Sequence, residues 1–236
     1  MRFQLQTEPK PHSLKLGHLT DAIKILIAVN LILFLFKTLA PHIEFSRIFG
    51  LSPQTVWPQI WEPFTYLFIH DTTRPWGFLH VVVNMFVLWM FGSELEMILG
   101  KREFLKYYFI TGVGSGLVWL LINITSTYDM VLIGASGAVY GILMAYGFMF
   151  PNRTVYLYFF IPVKVKWFVL FIGGIALYSS MNTGASNISH MTHLSGMIIG
   201  YVYLNSIKRL GNISFLIRKR IADVGFWIEE KKLEKR

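Results

Sequence analysis

Three small sets of polar residues interrupt a strongly apolar chain. Gly134-Ala135-Ser136-Gly137 opens an uncharged run that continues to Phe150. A serine at the start of a helix lies where backbone N–H groups lack intrahelical acceptors and the helix carries partial positive charge. A nucleophile there has donors available for an oxyanion. His80 and Asn84, four residues apart, project from one helical face, as do His190 and His193, three apart. The chemistry open to these groups is hydrolysis, with serine attacking a carbonyl and a histidine moving its proton. The same residues also suit a plainer use, because Gly and Ser are common where membrane helices pack. The GxSxG elbow of soluble hydrolases does not match, since Ala138 stands where its last glycine would be.

The elements that must position these groups are membrane helices. Charged residues make up only 15% of the chain and hydrophobic ones 54%, against roughly 25% charged in soluble domains. Apolar blocks predict six spans, at about 22–40, 77–97, 104–125, 134–151, 167–183 and 188–206. Lys24 and Lys37 lie near the ends of the first span, where they can snorkel. Asn30 in its middle is polar, but a neighbouring helix can satisfy one amide. The connection 41–76 is rich in Trp and Phe and reads as a segment lying in the bilayer interface, with a helix start at Ser52-Pro53. Ile213, Ile217, Ile221, Val224 and Ile228 share one helical face in the basic tail, which reads as an amphipathic surface helix or as a soluble tail that binds a partner. The organisation is thus a cytoplasmic segment 1–21, a membrane domain 22–206 and a tail 207–236. With the N-terminus inside, 18 Lys and Arg fall in inside segments and two, Arg47 and Arg74, outside, which puts both termini in the cytoplasm. The net charge of +9 is accounted for by this bias rather than by nucleic acid.

This topology makes the second, fourth and sixth spans run from outside to inside. His80, Ser136 and His193 each lie a few residues into one of them, roughly 5–10 Å below the outer surface at 1.5 Å per residue. Polar groups in hydrocarbon are costly and turn inward. The thirteen Asp and Glu residues lie in tails, loops or span ends, so a Ser–His dyad is expected rather than a triad with a carboxylate. His80, His190 and His193 could suggest a metal, but no carboxylate falls mid-span, and no metal or other cofactor is expected. Gly137 and Gly141 on the serine span, and Gly196 and Gly200 on the last, are two small-xxx-small pairs that let helices approach closely.

Taken together, His80-Val81-Val82-Val83-Asn84, Gly134-Ala135-Ser136-Gly137 with Tyr140, and His193-Leu194-Ser195-Gly196 with Gly200 resemble the rhomboid intramembrane serine proteases. Gly92, Glu96 and Gly100 match the family pattern after the second span, and Phe159–Trp167 is similar to bacterial members; the resemblance covers about residues 55–205. It implies an all-α membrane protein, a six-helix rhomboid-like bundle with an interfacial first loop. It implies Ser136 as nucleophile, His193 as general base, and an oxyanion site from the Ser136 N–H with the His80 and Asn84 side chains. Gly134, Tyr140, Gly196 and Gly200 would support the site, Tyr140 by packing on the His193 ring. His190 matches no catalytic position. The family commonly carries Trp-Arg in its first connection; here Trp61 precedes Glu62-Pro63, so no arginine role is carried over.

The expected function is cleavage of transmembrane segments of other proteins by a multi-pass enzyme of a bacterial cell membrane. Its partners would be transmembrane substrates and the lipid bilayer. An inactive, client-binding relative would lack the serine or the histidine, and this chain has both. A transporter would show inverted repeats or ionisable groups at the midplane, and neither is found in the sequence.

Overall fold

The computed structural model describes residues 19–73, 77–157, 160–181 and 187–209. The N-terminal segment through residue 18, Arg74, Phe159 and the amphipathic tail beyond residue 209 lie outside the described residues. The apolar blocks of sequence form helices: α1 (Asp21–Leu39), α4 (Gly77–Val87), α5 (Ser93–Leu99), α6 (Lys101–Asn123), α7 (Ser136–Met149), α8 (Val165–Met181) and α9 (Asn187–Arg209). Two short helices, α2 (Phe45–Phe49) and α3 (Glu62–Thr65), lie in the first connection, α3 running on into a 3-10 turn, Tyr66–Phe68. A π-turn at Leu88–Gly92 joins α4 to α5. Gly100, at φ 80, separates α5 from α6, a conformation glycine adopts without steric cost.

Among the described residues, three stretches are long and apolar enough to cross a membrane: Asp21–Leu39, Gly77–Leu99 and Lys101–Asn123. The apolar helices α7 and α8 are shorter, with 14 and 17 residues. At 1.5 Å per residue α7 is roughly 21 Å long against a hydrocarbon core of about 30 Å. In α9, His190, Thr192, His193 and Ser195 dilute the apolar character of a 23-residue helix. The surface is inverted relative to a water-soluble protein. Leu35, Leu39, Phe78, Leu121 and Phe171 are more than half exposed, while Asn30, Thr111 and Ser115 are buried. Apolar side chains facing outward all round suit hydrocarbon as the surrounding solvent.

At the centre, α7 packs against α6, α8 and α9. A Cβ on Gly196 would stand 2.1 Å from the Gly137 carbonyl oxygen, and one on Gly200 would be 3.4 Å from Gly141 Cα. The two helices therefore touch through backbone. The Tyr107 hydroxyl of α6 donates to the Gly141 carbonyl at 2.6 Å and occupies the space a Gly200 side chain would need.

Several local expectations are corrected. The all-α reading omits a hairpin in which β1 (Thr154–Leu157) pairs antiparallel with β2 (Ile161–Lys164). Thr154, Val155 and Tyr156 favour extended backbone, and Pro162 has no N–H for a helix. No helix starts at Ser52-Pro53; the proline in a first helical turn is Pro63. The buried Glu62 carboxylate instead accepts the Ser52 N–H at 3.0 Å and the Thr55 hydroxyl at 2.6 Å, folding 52–62 back on itself. Asn30 is bonded within its own helix, its amide donating to the Leu26 carbonyl at 2.7 Å. Lys24 is exposed, but Lys37 does not snorkel. Its ammonium is turned inward and donates to the Ser46 hydroxyl and the His70 carbonyl, each at 2.8 Å, because these two acceptors lie within the stem's reach.

Glu94 and Glu96, two residues apart, point to opposite sides of α5. Glu94 accepts from the Tyr146 hydroxyl at 2.8 Å and pairs with Arg153. The buried Glu96 accepts the Ala22 and Ile23 N–H groups at 3.0 and 3.1 Å and the Thr20 hydroxyl, capping α1 from across the bundle. A carboxylate there also meets the positive end of the helix dipole. Glu96→Ala is expected to destabilise the protein by on the order of 2 kcal/mol, with Glu96→Gln losing less because one acceptor remains. Thermal unfolding in detergent measures this; a midpoint unchanged in Glu96→Ala would mean the cap contributes nothing.

Candidate active site

Gly134, at φ 115, turns the chain into α7 and donates its N–H to the Tyr66 carbonyl at 2.9 Å. That turn makes Ser136 the first residue of α7, and no side chain caps the helix. The leading N–H groups, from Ser136 onward, are therefore the unpaired donors of a helix start. The irregular segment before α7 is held by a bridge between Leu51 and Leu132.

Ser136 is nearly buried, and its Oγ lies 2.8 Å from His193 Nε2 on α9. The close contact at Gly196, one turn beyond His193, makes this approach possible. The Tyr140 ring stacks on the His193 ring with centroids 4.2 Å apart and 7° between planes. His193 Nδ1 finds no hydrogen-bond partner among the described residues, so the ring is oriented by the tyrosine face and the serine hydroxyl rather than by a carboxylate. His190 stands edge-on to His193, centroids 5.9 Å apart. Ser195 turns to its own helix, its hydroxyl donating to the Met191 carbonyl at 2.6 Å.

His80 is on α4, on the serine side. A Cβ added at Gly134 would stand 3.4 Å from His80 Cε1 and 4.0 Å from Ser136 Oγ, so a side chain there would crowd the space between them. Asn84, one turn on, is buried and brings its amide Nδ2 to 3.5 Å from His70 Nε2. No sequence pattern marks His70. Its ring meets His80 edge-on at 5.7 Å, and burial, with His80 adding to it, lowers its pKa to about 3. A neutral imidazole can accept from the Asn84 amide and leave the other amide hydrogen free. Lys37 holds the His70 carbonyl from behind. No spacing rule links residues 37, 70 and 84; the loop fold alone brings them together.

These features define a serine–histidine pair at a helix start, enclosed by helices. The Rhomboid domain model matches residues 58–209, and the chain belongs to the rhomboid family. It is 28% identical over 190 residues to the Bacillus subtilis protein named "Putative rhomboid protease YdcA", covering 78% of this chain and 87% of that one. It is 29% identical over 131 residues to yeast "Rhomboid protein 1, mitochondrial", covering 53% and 37%. A third relative, Arabidopsis "RHOMBOID-like protein 1", is 30% identical over 148 residues, covering 62% and 35%. The match spans most of the Bacillus relative but well under half of the other two.

Proposed function

We propose that this chain is an intramembrane serine endopeptidase that cleaves transmembrane segments of other membrane proteins. The observation that carries the reading is the 2.8 Å bond between Ser136 Oγ and His193 Nε2 at the start of α7. In this reading His193 Nε2 accepts the hydroxyl proton as Oγ attacks the scissile carbonyl, then delivers it to the leaving amine. A water, deprotonated by the same nitrogen, then hydrolyses the acyl-enzyme. The Ser136 N–H and the His80 and Asn84 side chains donate to the oxyanion. The stacked Tyr140 ring keeps His193 facing the serine through both steps, Gly134 turns the chain so that Ser136 opens α7, and Gly196 and Gly200 let the two helices come close enough for the pair to meet. Incubating the purified protein with a fluorophosphonate should label Ser136, located by mass spectrometry, alongside cleavage of a model transmembrane substrate. A folded protein that takes up no probe and cleaves nothing would instead support the client-binding reading.

The reading includes six spans, with α7, α8 and α9 crossing beside the three longer stretches. Both termini are cytoplasmic, the membrane is that of a bacterial cell, and the site opens outward. The Lys and Arg bias supports it. The chain has no cysteine, so introduced ones report cleanly. The exposed Tyr128 lies in the connection before α7, and the exposed Asn152 follows that helix. In intact cells Tyr128→Cys is expected to react with an impermeant thiol reagent and Asn152→Cys to stay unlabelled. The reverse pattern would turn the site to the inner face.

A further inference from the structure

The loop carrying α3 covers only part of α6. Tyr66 and Leu67 pack where Gly112 and Gly116 leave room, and the Phe68 ring meets Phe109 at 6.4 Å. Beneath them, toward the α6 N-terminus, lies a groove of about 460 Å³. Leu105, Phe109, Ile110 and Phe64 line this shallow, open depression, and Arg102 and Lys106 line it almost wholly through the apolar part of their side chains. The groove is thus walled by apolar side chains from Leu105 to Ile110, roughly 7–8 Å of helix, with two cationic residues at its α6 N-terminal end. Lys106 shares its charge with Glu103 at 2.7 Å, whereas Arg102 has no ion pair among the described residues. A guanidinium can bind a phosphate through two parallel hydrogen bonds.

We infer that this groove binds one anionic phospholipid of the leaflet at the α6 N-terminal end, its chain against Phe64 and its phosphate on Arg102 and Lys106. The inference does not depend on the protease reading. The lipid would support the loop from below, and the Tyr66 carbonyl of that loop holds Gly134 at the turn before Ser136.

The test is native mass spectrometry of the full chain in detergent, titrated with phosphatidylglycerol, with phosphatidylcholine of the same chains, and with glycerol phosphate. No bilayer orientation enters the measurement. Phosphatidylglycerol is expected to be retained well above phosphatidylcholine, and glycerol phosphate not at all. The Arg102→Gln/Lys106→Gln double variant should weaken phosphatidylglycerol retention about tenfold, with no change in the thermal midpoint of the lipid-free protein. Leu105→Trp, which fills the groove, should reduce retention of both lipids. Equal retention of the two lipids, retention unaffected by either variant, or comparable binding of glycerol phosphate would each overturn the inference.

Discussion

Ser136→Ala is expected to abolish cleavage while the protein still inserts and folds. Ser136 contributes one side-chain hydrogen bond, to His193. Its loss costs about 1 kcal/mol, too little to prevent folding. The proteolytic loss, by contrast, is on the order of 10⁴-fold or more, as for other serine nucleophiles acting with a histidine. His193→Ala should lose as much, because the two groups act as one unit. Ser195→Ala is the control. Its hydroxyl is engaged with the Met191 and Thr192 carbonyls of its own helix, so most activity should remain. The measurement is cleavage of a model transmembrane substrate beside thermal unfolding in detergent. Retention of more than a few per cent of wild-type cleavage in Ser136→Ala would sink the assignment of the nucleophile.

Gly196→Val is the second large expected effect, although Gly196 performs no chemistry. A Cβ there would come 2.1 Å from the Gly137 carbonyl oxygen and 2.9 Å from its carbon, and this is backbone, which cannot rotate away. The helices α7 and α9 must separate. Overpacking costs about 1–3 kcal/mol or more, and a displacement near 1 Å is enough to cost on the order of 10²-fold in rate. Ser136 lies beside Gly137, and His193 is one turn before Gly196, so the separation falls on the Ser136–His193 bond itself. Gly174→Val on α8 is the matched control, since a Cβ there meets nothing within 4 Å. Gly173 is less suitable, because its Cβ would meet the Met197 methyl at 3.2 Å. Equal activity and stability of Gly196→Val and Gly174→Val would show that the contact does not hold the pair in register.

What the sequence determined by itself is what periodicity, composition and local chemistry encode. Apolar blocks mark α1, α4 to α5, α6, α7, α8 and α9 to within a few residues, because helix ends follow Gly100, Gly134, Pro151 and other local stops. The one-turn spacing of His80 and Asn84, and the glycine pairs of α7 and α9, are likewise readable without a fold. Which distant groups meet is a different matter. Ser136 and His193 are 57 residues apart in sequence, and Glu96 is more than 70 from the helix it caps. Such pairs depend on how close whole helices come, which packing of the side chains between them decides. Lys37 shows the same limit. Near a span end a lysine can turn outward to the interface or inward to acceptors, and only the folded loop supplies the Ser46 hydroxyl and the His70 carbonyl. His70 had no readable signal, since a loop residue has no periodicity and its partner Asn84 lies on a helix that the loop's path brings beside it. Tertiary structure decided these points because a buried polar group must find its partner among whatever the fold places within reach.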